Sequence, residues 1–317
     1  MDTFSFRAMN SQITLAGEGD PVLLQQGFEK VRTYIEESEK RFTRFSDTSE
    51  LSKLNASTGS WFQASPDMLF LGMLINQYVE QTRGLFDPSV LTHLERIGYD
   101  RSMDLLRADD LQLPSFSDKK PDLLRFKGLL IHPKENQLFL QEGRRIDLGG
   151  IAKGWIAENS AHILAEYSPA CIVDAGGDMF MIGAPENQTR WSIDIEDPRN
   201  PGQSLTTIEV PPGAIATSST AKRKWLQGDV FRHHIIDPRT GEPAVTDWLS
   251  VTVMAPHADT AEVFAKALLI AGSREAELIA QNIPDIYYLA IAQDGMIWGT
   301  PESLELIYDY KTLEKSK

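Results

Sequence analysis

The run Asp147-Leu-Gly-Gly-Ile-Ala-Lys-Gly154 is the stretch that most strongly constrains the structure of this chain. It follows an apolar stretch at 138–140, and its lysine is expected on the first turn of a helix. Glycines let backbone groups approach a ligand, and the start of a helix attracts negative charge. The run matches neither G-x-G-x-x-G nor a P-loop. It therefore predicts either a site for a phosphorylated anion or a plain strand-to-helix turn with a surface lysine.

Three further polar turns follow along the chain. Asp174-Ala-Gly-Gly-Asp178 stands between two apolar stretches and predicts a strand, a tight turn and a second strand. Thr217-Ser-Ser-Thr220 comes next, and His234-Ile-Ile-Asp-Pro-Arg-Thr-Gly241 after it. One such turn is commonplace. Four of them between apolar strands indicate loops that gather at one site.

These segments together resemble the ApbE family, the FAD:protein FMN transferases. The resemblance extends from residue 7 to residue 272, and its parts come in the family's order. The matching segments are 8–9, 44–55, 84–88, 147–154, 175–178, 191–198, 216–218 and 234–241. The resemblance implies an α+β fold of two closely packed lobes with the flavin site between them. It also implies a single domain over 1–317, in which 101–123 is a polar excursion.

The activity that the resemblance implies is the transfer of FMN from FAD to a threonine or serine of an acceptor protein, with release of AMP. Two other functions remain open at this stage. One is an FAD-binding carrier or scaffold without transferase activity, and the other is an FAD pyrophosphatase that gives FMN and AMP. FAD is then the substrate or ligand, and Mg²⁺ is the metal that the family leads us to expect.

Composition and charge limit the kinds of binding partner and the cellular location that we expect. The formal net charge is −14 and the basic residues are scattered, which disfavours nucleic acid. We find no run of 18 apolar residues and expect no spanning helix. The start shows no signal peptide or lipobox, so we expect a cytoplasmic protein as the sequence stands, or a periplasmic or exported one if a leader precedes it. The single cysteine, Cys171, lies in an apolar stretch and is predicted to be a buried thiol.

Seven residues are candidates for contact with the flavin dinucleotide on the strength of the resemblance. They are Met9, Phe45, Leu85, Phe86, Asp87, Asp147 and Lys153. Lysine suits phosphate as a point charge. Without the resemblance, Phe45 and Met9 would be interpreted as core residues, and Asp147 as an acceptor within its own turn.

His234 is the candidate catalytic residue. His233 precedes it, and neighbouring residues of a strand point to opposite faces, so at most one of the two faces a site. The resemblance selects His234, as the general base for the acceptor hydroxyl. A structural histidine remains the alternative.

The metal motif differs from the family pattern. Gly150, through its carbonyl, and Glu262 are the candidate ligands. Where the family has Ala-Asp-Ala-x-Ala-Thr-Ala, this chain has Ala261-Glu-Val-Phe-Ala-Lys-Ala267, so that Lys266 replaces a threonine. A protonated ammonium cannot ligate a cation. Lys266 is therefore interpreted as taking the place of the metal, or else as pairing with Glu262 on a solvated helix face.

Hydrophobic periodicity predicts the main elements. Helices are expected over 21–45, 50–55, 66–83, 152–167, 260–271 and 273–282. Strands are expected over 5–16, 171–174, 179–183, 190–195, 205–210, 213–217, 230–236 and 249–254. Hairpins are expected over 124–150, turning at 133–136, and over 287–299.

Overall fold

The computed structural model describes residues 1–101, 125–227 and 230–307. Its strands are β1 (Asp2–Ala8), β2 (Ser11–Gly17), β3 (Trp61–Gln63), β4 (Leu130–His132), β5 (Gln137–Phe139), β6 (Cys171–Ala175), β7 (Asp178–Ile182), β8 (Trp191–Glu196), β9 (Ser204–Val210), β10 (Gly213–Ser219), β11 (Lys224–Gln227), β12 (Val230–His233), β13 (Ile236–Asp237), β14 (Glu242–Pro243), β15 (Trp248–Ala255), β16 (Tyr287–Ala292) and β17 (Ile297–Gly299). Its helices are α1 (Pro21–Phe42), α2 (Glu50–Ala56), α3 (Pro66–Gln81), α4 (Leu91–Arg96), α5 (Ala152–Ala165), α6 (Ala258–Ala280) and α7 (Pro301–Glu305). The mixture of helices and an antiparallel sheet confirms the predicted α+β class.

An eight-stranded sheet organises the fold, in the order β1-β2-β6-β7-β10-β15-β16-β17. Every neighbouring pair in it is antiparallel. Alternate residues of its strands point to opposite faces, because the side-chain period of a strand is two. On β15, for example, Val253 belongs to the large core on the helical face, whereas Met254 packs with the cluster on the other face.

Helices cover one face of this sheet and a hairpin covers the other. Helix α6 packs on β10 and β15, helix α5 packs on β6 and β7, and α1 packs on α5. The β8–β9 hairpin supplies Trp191, Ile193 and Ile208 to the apolar cluster on the opposite face. Both faces of the central strands are therefore buried.

The close contact between α5 and α6 depends on a glycine. A Cβ at Gly154 would collide with the carbonyl oxygen of Ala258 and stand 2.6 Å from its carbonyl carbon. The absence of a side chain lets the first turn of α5 lie against the start of α6. This contact brings the helix that carries Lys153 against the helix that carries Lys266.

Two strand predictions were wrong in a way that has a physical reason. Residues 5–16 form a hairpin rather than one strand, because Met9 (φ 51°) and Asn10 (φ 55°) adopt left-handed conformations and turn the chain. Residues 230–236 do not form one strand either. Strand β12 ends at His233 and pairing resumes only at Ile236.

The other predicted elements are present, with ends shifted by a few residues. Helix α1 ends at Phe42 rather than at 45, and the two helices expected after 260 form one run that is broken at Gly272 (φ 64°). The hairpin expected over 124–150 is much shorter than predicted, because its strands cover only 130–132 and 137–139. Three short strands, β3, β11 and β14, were not predicted. The polar excursion over 101–123 lies almost wholly outside the described residues. Within the described part of the chain, no helix is long and apolar enough to cross a membrane.

Candidate functional site

A cleft lies where the β1–β2 turn, the end of α1, the start of α5 and the chain around His234 meet. The space between its walls, open mouth included, is about 1100 Å³. Nearly every candidate site residue lines this cleft. These are Met9, Phe45, Leu85, Phe86, Asp87, Asp147, Gly150, Lys153, His234 and Lys266. The structure therefore brings together segments that lie up to 257 positions apart in the sequence, from Met9 to Lys266.

An aromatic and cationic edge forms one side of the cleft. The Phe45 side chain is 39% exposed, and the guanidinium of Arg44 lies 4.3 Å from its ring centroid and 4.7 Å from that of Tyr99. Arg44 also donates a 2.7 Å hydrogen bond to the carbonyl of Tyr99, which fixes the arrangement. An exposed aromatic ring held in this way offers a flat surface to a ligand.

The run 147–154 is tied to the loop before it. The backbone N–H of Asp147 donates a 2.8 Å hydrogen bond to the carbonyl of Pro88, and its carboxylate lies 3.7 Å from Arg44. Asp87 accepts hydrogen bonds from the N–H and the hydroxyl of Ser89, at 2.8 and 2.7 Å. One carboxylate oxygen of Asp87 is thus used in its own turn, while Leu85 and Phe86 are almost fully buried.

Lys153 lies over two buried carboxylates. Its ammonium forms an ion pair with Asp178 and a second one with Glu262, at 3.4 Å. Burial lowers the pKa of Lys153, and the positive charges of Arg223 and Lys266 act in the same direction, whereas Glu262 raises it. Glu262 does not line the cleft; it is 3% exposed and accepts a 2.8 Å hydrogen bond from the N–H of Gly154.

Lys266 points into the cleft. Its ammonium lies above Gly150, where a Cβ would collide with it, and 3.5 Å from the carbonyl of Gly149. The alternative of a solvated Glu262–Lys266 pair was wrong, since Glu262 is buried and pairs with Lys153 instead. Glu262 lies on the inner face of α6. Its carboxylate is therefore closer to the start of α5 than to Lys266, one turn further along α6.

His234 follows β12 and faces the cleft, whereas His233 contacts the carbonyl of Ala244 through Nε2 at 3.2 Å. Of the two neighbouring histidines, His234 lines the cleft and His233 does not. The Nδ1 atom of His234 is buried without a hydrogen-bond partner among the described residues. Burial lowers the pKa of His234 well below 6.5, and the charges of Arg223 and Lys266 add to the effect. The imidazole is therefore neutral at pH 7 and able to accept a proton.

Arg223 is the cleft residue that the sequence analysis missed. It begins the β11–β12 hairpin in a left-handed conformation (φ 48°), lines the cleft, and donates a 3.3 Å hydrogen bond to the hydroxyl of Ser11. The basic run Lys222-Arg223-Lys224 directly after the polar turn at 217–220 indicates a cationic segment, but it does not show which of the three side chains faces the cleft.

The donor set around Lys153 and Lys266 does not resemble a metal centre. Over residues 1–101, 125–227 and 230–307, no group of three or more His, Cys, Asp or Glu side chains is arranged to hold a metal ion. The two buried carboxylates beneath Lys153, Asp178 and Glu262, are both engaged by it. An ammonium occupies the space next to the carbonyl of Gly149.

The chain belongs to the ApbE family, whose model matches residues 9–289. A FAD:protein FMN transferase of Treponema pallidum is 29% identical over 292 residues, which cover 85% of this chain and 78% of that protein. One of Rhodobacter capsulatus is 29% identical over 261 residues, 80% of this chain but 48% of the relative. One of Vibrio cholerae is 27% identical over 290 residues, 88% of this chain and 83% of the relative.

Solved structures show the same fold. An ApbE protein of Thermotoga maritima superposes with a TM-score of 0.80 at 23% identity, covering 96% of this chain and 98% of that one. The flavin transferase ApbE of Vibrio cholerae superposes with a TM-score of 0.77 at 24% identity, with the same coverage of both chains. The family that the sequence motifs indicated is thus confirmed.

Proposed function

We propose that this protein transfers FMN from FAD to a threonine or serine hydroxyl of an acceptor protein and releases AMP. Its membership of the ApbE family supports this, and so do the relatives of Treponema pallidum, Rhodobacter capsulatus and Vibrio cholerae, each named for that reaction. A carrier without transferase chemistry, or a pyrophosphatase, finds no support among these relatives.

The observation that carries the proposal is the composition of the cleft. One edge offers the exposed ring of Phe45, suited to stacking on a flat heterocycle. The floor offers the ammonium groups of Lys153 and Lys266 and the guanidinium of Arg223, suited to phosphates. An unprotonated imidazole, His234, lines the same space. A dinucleotide whose diphosphate is to be attacked by a hydroxyl needs all three features.

The proposed reaction is a phosphoryl transfer. The acceptor hydroxyl oxygen forms a bond to the phosphorus of the FMN half, and the bond from that phosphorus to the bridging oxygen breaks. AMP leaves with the bridging oxygen, and the hydroxyl proton is taken up by a base. Catalysis then depends on alignment of the hydroxyl and on positive charge around the diphosphate.

We assign the base role to His234. Its neutral state at pH 7 leaves a nitrogen lone pair free to accept the hydroxyl proton. Lys153, Arg223 and Lys266 are assigned to the diphosphate. Met9, Phe45, Leu85, Phe86, Asp87 and Asp147 are assigned to the flavin dinucleotide.

Magnesium, which the family leads one to expect, does not fit the donor set of this chain. Mg²⁺ requires oxygen ligands in a nearly octahedral arrangement. Here Glu262 and Asp178 are paired with Lys153, and Lys266 lies beside Gly150. No step of the proposed reaction is therefore assigned to a metal.

The direct test incubates the purified protein with FAD, with and without an acceptor protein of one of the flavin-transferase relatives. Transfer predicts AMP release that requires the acceptor, and an acceptor mass increased by one FMN less one water. AMP and free FMN formed without acceptor would instead indicate a pyrophosphatase. FAD that binds and stays intact in both arms would indicate a carrier.

The matched control for this test is His233→Ala, which alters the neighbouring histidine that does not face the cleft. It should transfer FMN at nearly the wild-type rate, whereas His234→Ala should not.

A further inference from the structure

Two cations in the cleft have no carboxylate partner among the residues that the structure describes. Lys266 and Arg223 both line it, and within the described part of the chain neither forms an ion pair closer than 4 Å. Their contacts are with neutral oxygens, the Gly149 carbonyl for Lys266 and the Ser11 hydroxyl for Arg223. A partly buried cation without a counter-charge is costly, which favours an anionic ligand at this position.

The neighbouring carboxylates are engaged by other groups. Asp178 and Glu262 are buried beneath Lys153 and both pair with it. Asp147, an acid on the cleft wall, lies 3.7 Å from Arg44. Lys266 and Arg223 are therefore the cleft cations that no carboxylate contacts directly among the described residues.

We propose that Lys266 and Arg223 bind the diphosphate of FAD directly and replace a divalent cation, so that this protein works without a metal. The inference rests on the proposed function, since it concerns the same substrate. The diphosphate carries one negative charge on each phosphate, and the two side chains supply one positive charge each. Gly150 makes the replacement of a metal ion by Lys266 sterically feasible, because any side chain at position 150 would displace the Lys266 ammonium.

The electrostatics of Lys153 fit this arrangement. Burial lowers the pKa of Lys153 most, Glu262 raises it, and Arg223 and Lys266 lower it further. A bound diphosphate would place negative charge among the three cations and remove that repulsion. Ligand binding and the protonation of Lys153 should therefore reinforce each other.

The experiment measures FAD and riboflavin binding by calorimetry to the full chain, once in EDTA and once in excess magnesium. Riboflavin has no phosphate and serves as the reference for the flavin part. The proposal expects FAD to bind in EDTA with the affinity it has in magnesium, to within about twofold. A tenfold or larger gain of FAD affinity on adding magnesium would overturn it.

A charge-removing variant tests the residue itself. Lys266→Met keeps the length of the side chain and should weaken FAD binding in EDTA about 10–100-fold, the worth of one charge-assisted contact, while riboflavin binding stays unchanged. Lys134→Met removes a lysine exposed on the turn between β4 and β5 and is the matched control. Equal FAD affinities of Lys266→Met and Lys134→Met would also overturn the proposal.

The two possible failures are distinguishable. If FAD does not bind under either condition, the proposed function fails. If FAD binds and is transferred to an acceptor only when magnesium is present, the proposed function stands and the metal-free inference is wrong. A Lys266→Met protein that has lost its cooperative thermal transition leaves the comparison of EDTA with magnesium on the wild-type chain as the deciding result.

Discussion

The backbone N–H of Gly154 donates a 2.8 Å hydrogen bond to the carboxylate of Glu262, so the first turn of α5 is capped from α6. The residue before α5, Ile151, provides no side-chain cap. Because a helix start carries partial positive charge, a carboxylate there is stabilising. This one contact joins the helix that carries Lys153 to the helix that carries Lys266.

Gly154→Ala should therefore be strongly destabilising. Alanine favours a helix by about 1 kcal/mol over glycine, but its Cβ would collide with the backbone carbonyl of Ala258, which cannot swing aside. We expect a net loss of at least about 2 kcal/mol in the free energy of unfolding, measured with urea. Gly143→Ala is the control, because it meets no atom within 4 Å and adds only the strain of φ 74°. Equal losses in the two variants would contradict the crowding argument.

Phe45→Ala should weaken FAD binding without affecting the fold. Stacking of an aromatic side chain on a base is worth about 1–3 kcal/mol, whereas the loss of a side chain that is 39% exposed removes little from the core. We expect a roughly 5- to 150-fold rise in the dissociation constant of FAD, by fluorescence titration, with a melting temperature near that of the wild type. Phe70→Ala, on the exposed side of α3, should change neither quantity. If Phe45→Ala lowers stability and leaves affinity intact, the ring is a packing residue.

His234→Ala should reduce the rate of FMN transfer by about 10²–10⁴ and leave FAD affinity within a few fold. The reason is that the base acts on the acceptor hydroxyl and not on the bound dinucleotide. The rate is measured under single-turnover conditions with excess enzyme. A parallel loss of binding, transfer and thermal stability would instead mark His234 as structural.

The lowered pKa of His234 has a consequence for stability. Its pKa in the folded protein lies well below the ordinary value of 6.5, so the unfolded chain binds more protons between those two values. The free energy of unfolding should therefore fall as the pH is lowered through that window. His234→Gln removes this contribution, and its urea stability should change less than that of the wild type between pH 7.5 and about pH 5. The same pH dependence in both proteins would exclude His234 as its source.

Cys171 should be inert in the folded protein. Burial raises the pKa of its thiol to about 12, and its Sγ lies 3.7 Å from the carbonyl of Ala161. The thiolate, which is the reactive form, is then almost absent at neutral pH. A thiol-specific disulfide reagent should give no reaction in buffer and one equivalent in guanidinium. Rapid reaction of the native protein would show that β6 opens locally.

The candidate site residues were predicted from the family resemblance, whereas local sequence patterns predicted turns and burial. The Gly-Gly turn at 176–177 forms as expected between β6 and β7, and the expected buried Cys171 is confirmed. Met9 reached the cleft for a reason that periodicity could not show, namely a left-handed turn in residues other than glycine. The ion-pair partner of Glu262 could not be predicted from the helical pattern either, because it depends on how closely α5 approaches α6.

Arg223 was not predicted, because a basic run usually lies on the solvated surface. No local sequence pattern shows which of its three cations faces inward. Its placement follows from the β11–β12 hairpin, which pairs Lys224 with His233. Such pairing between strands depends on the tertiary structure and cannot be derived from a local sequence pattern.

That hairpin has a mechanical consequence. Arg223 precedes its first strand and His234 follows its second, so the two ends of one small ribbon carry the group assigned to the phosphates and the group assigned to the proton. Because both groups belong to one hairpin, a variant that displaces this hairpin should move the guanidinium and the imidazole together. We expect such a variant to weaken nucleotide binding and to slow the transfer step at the same time.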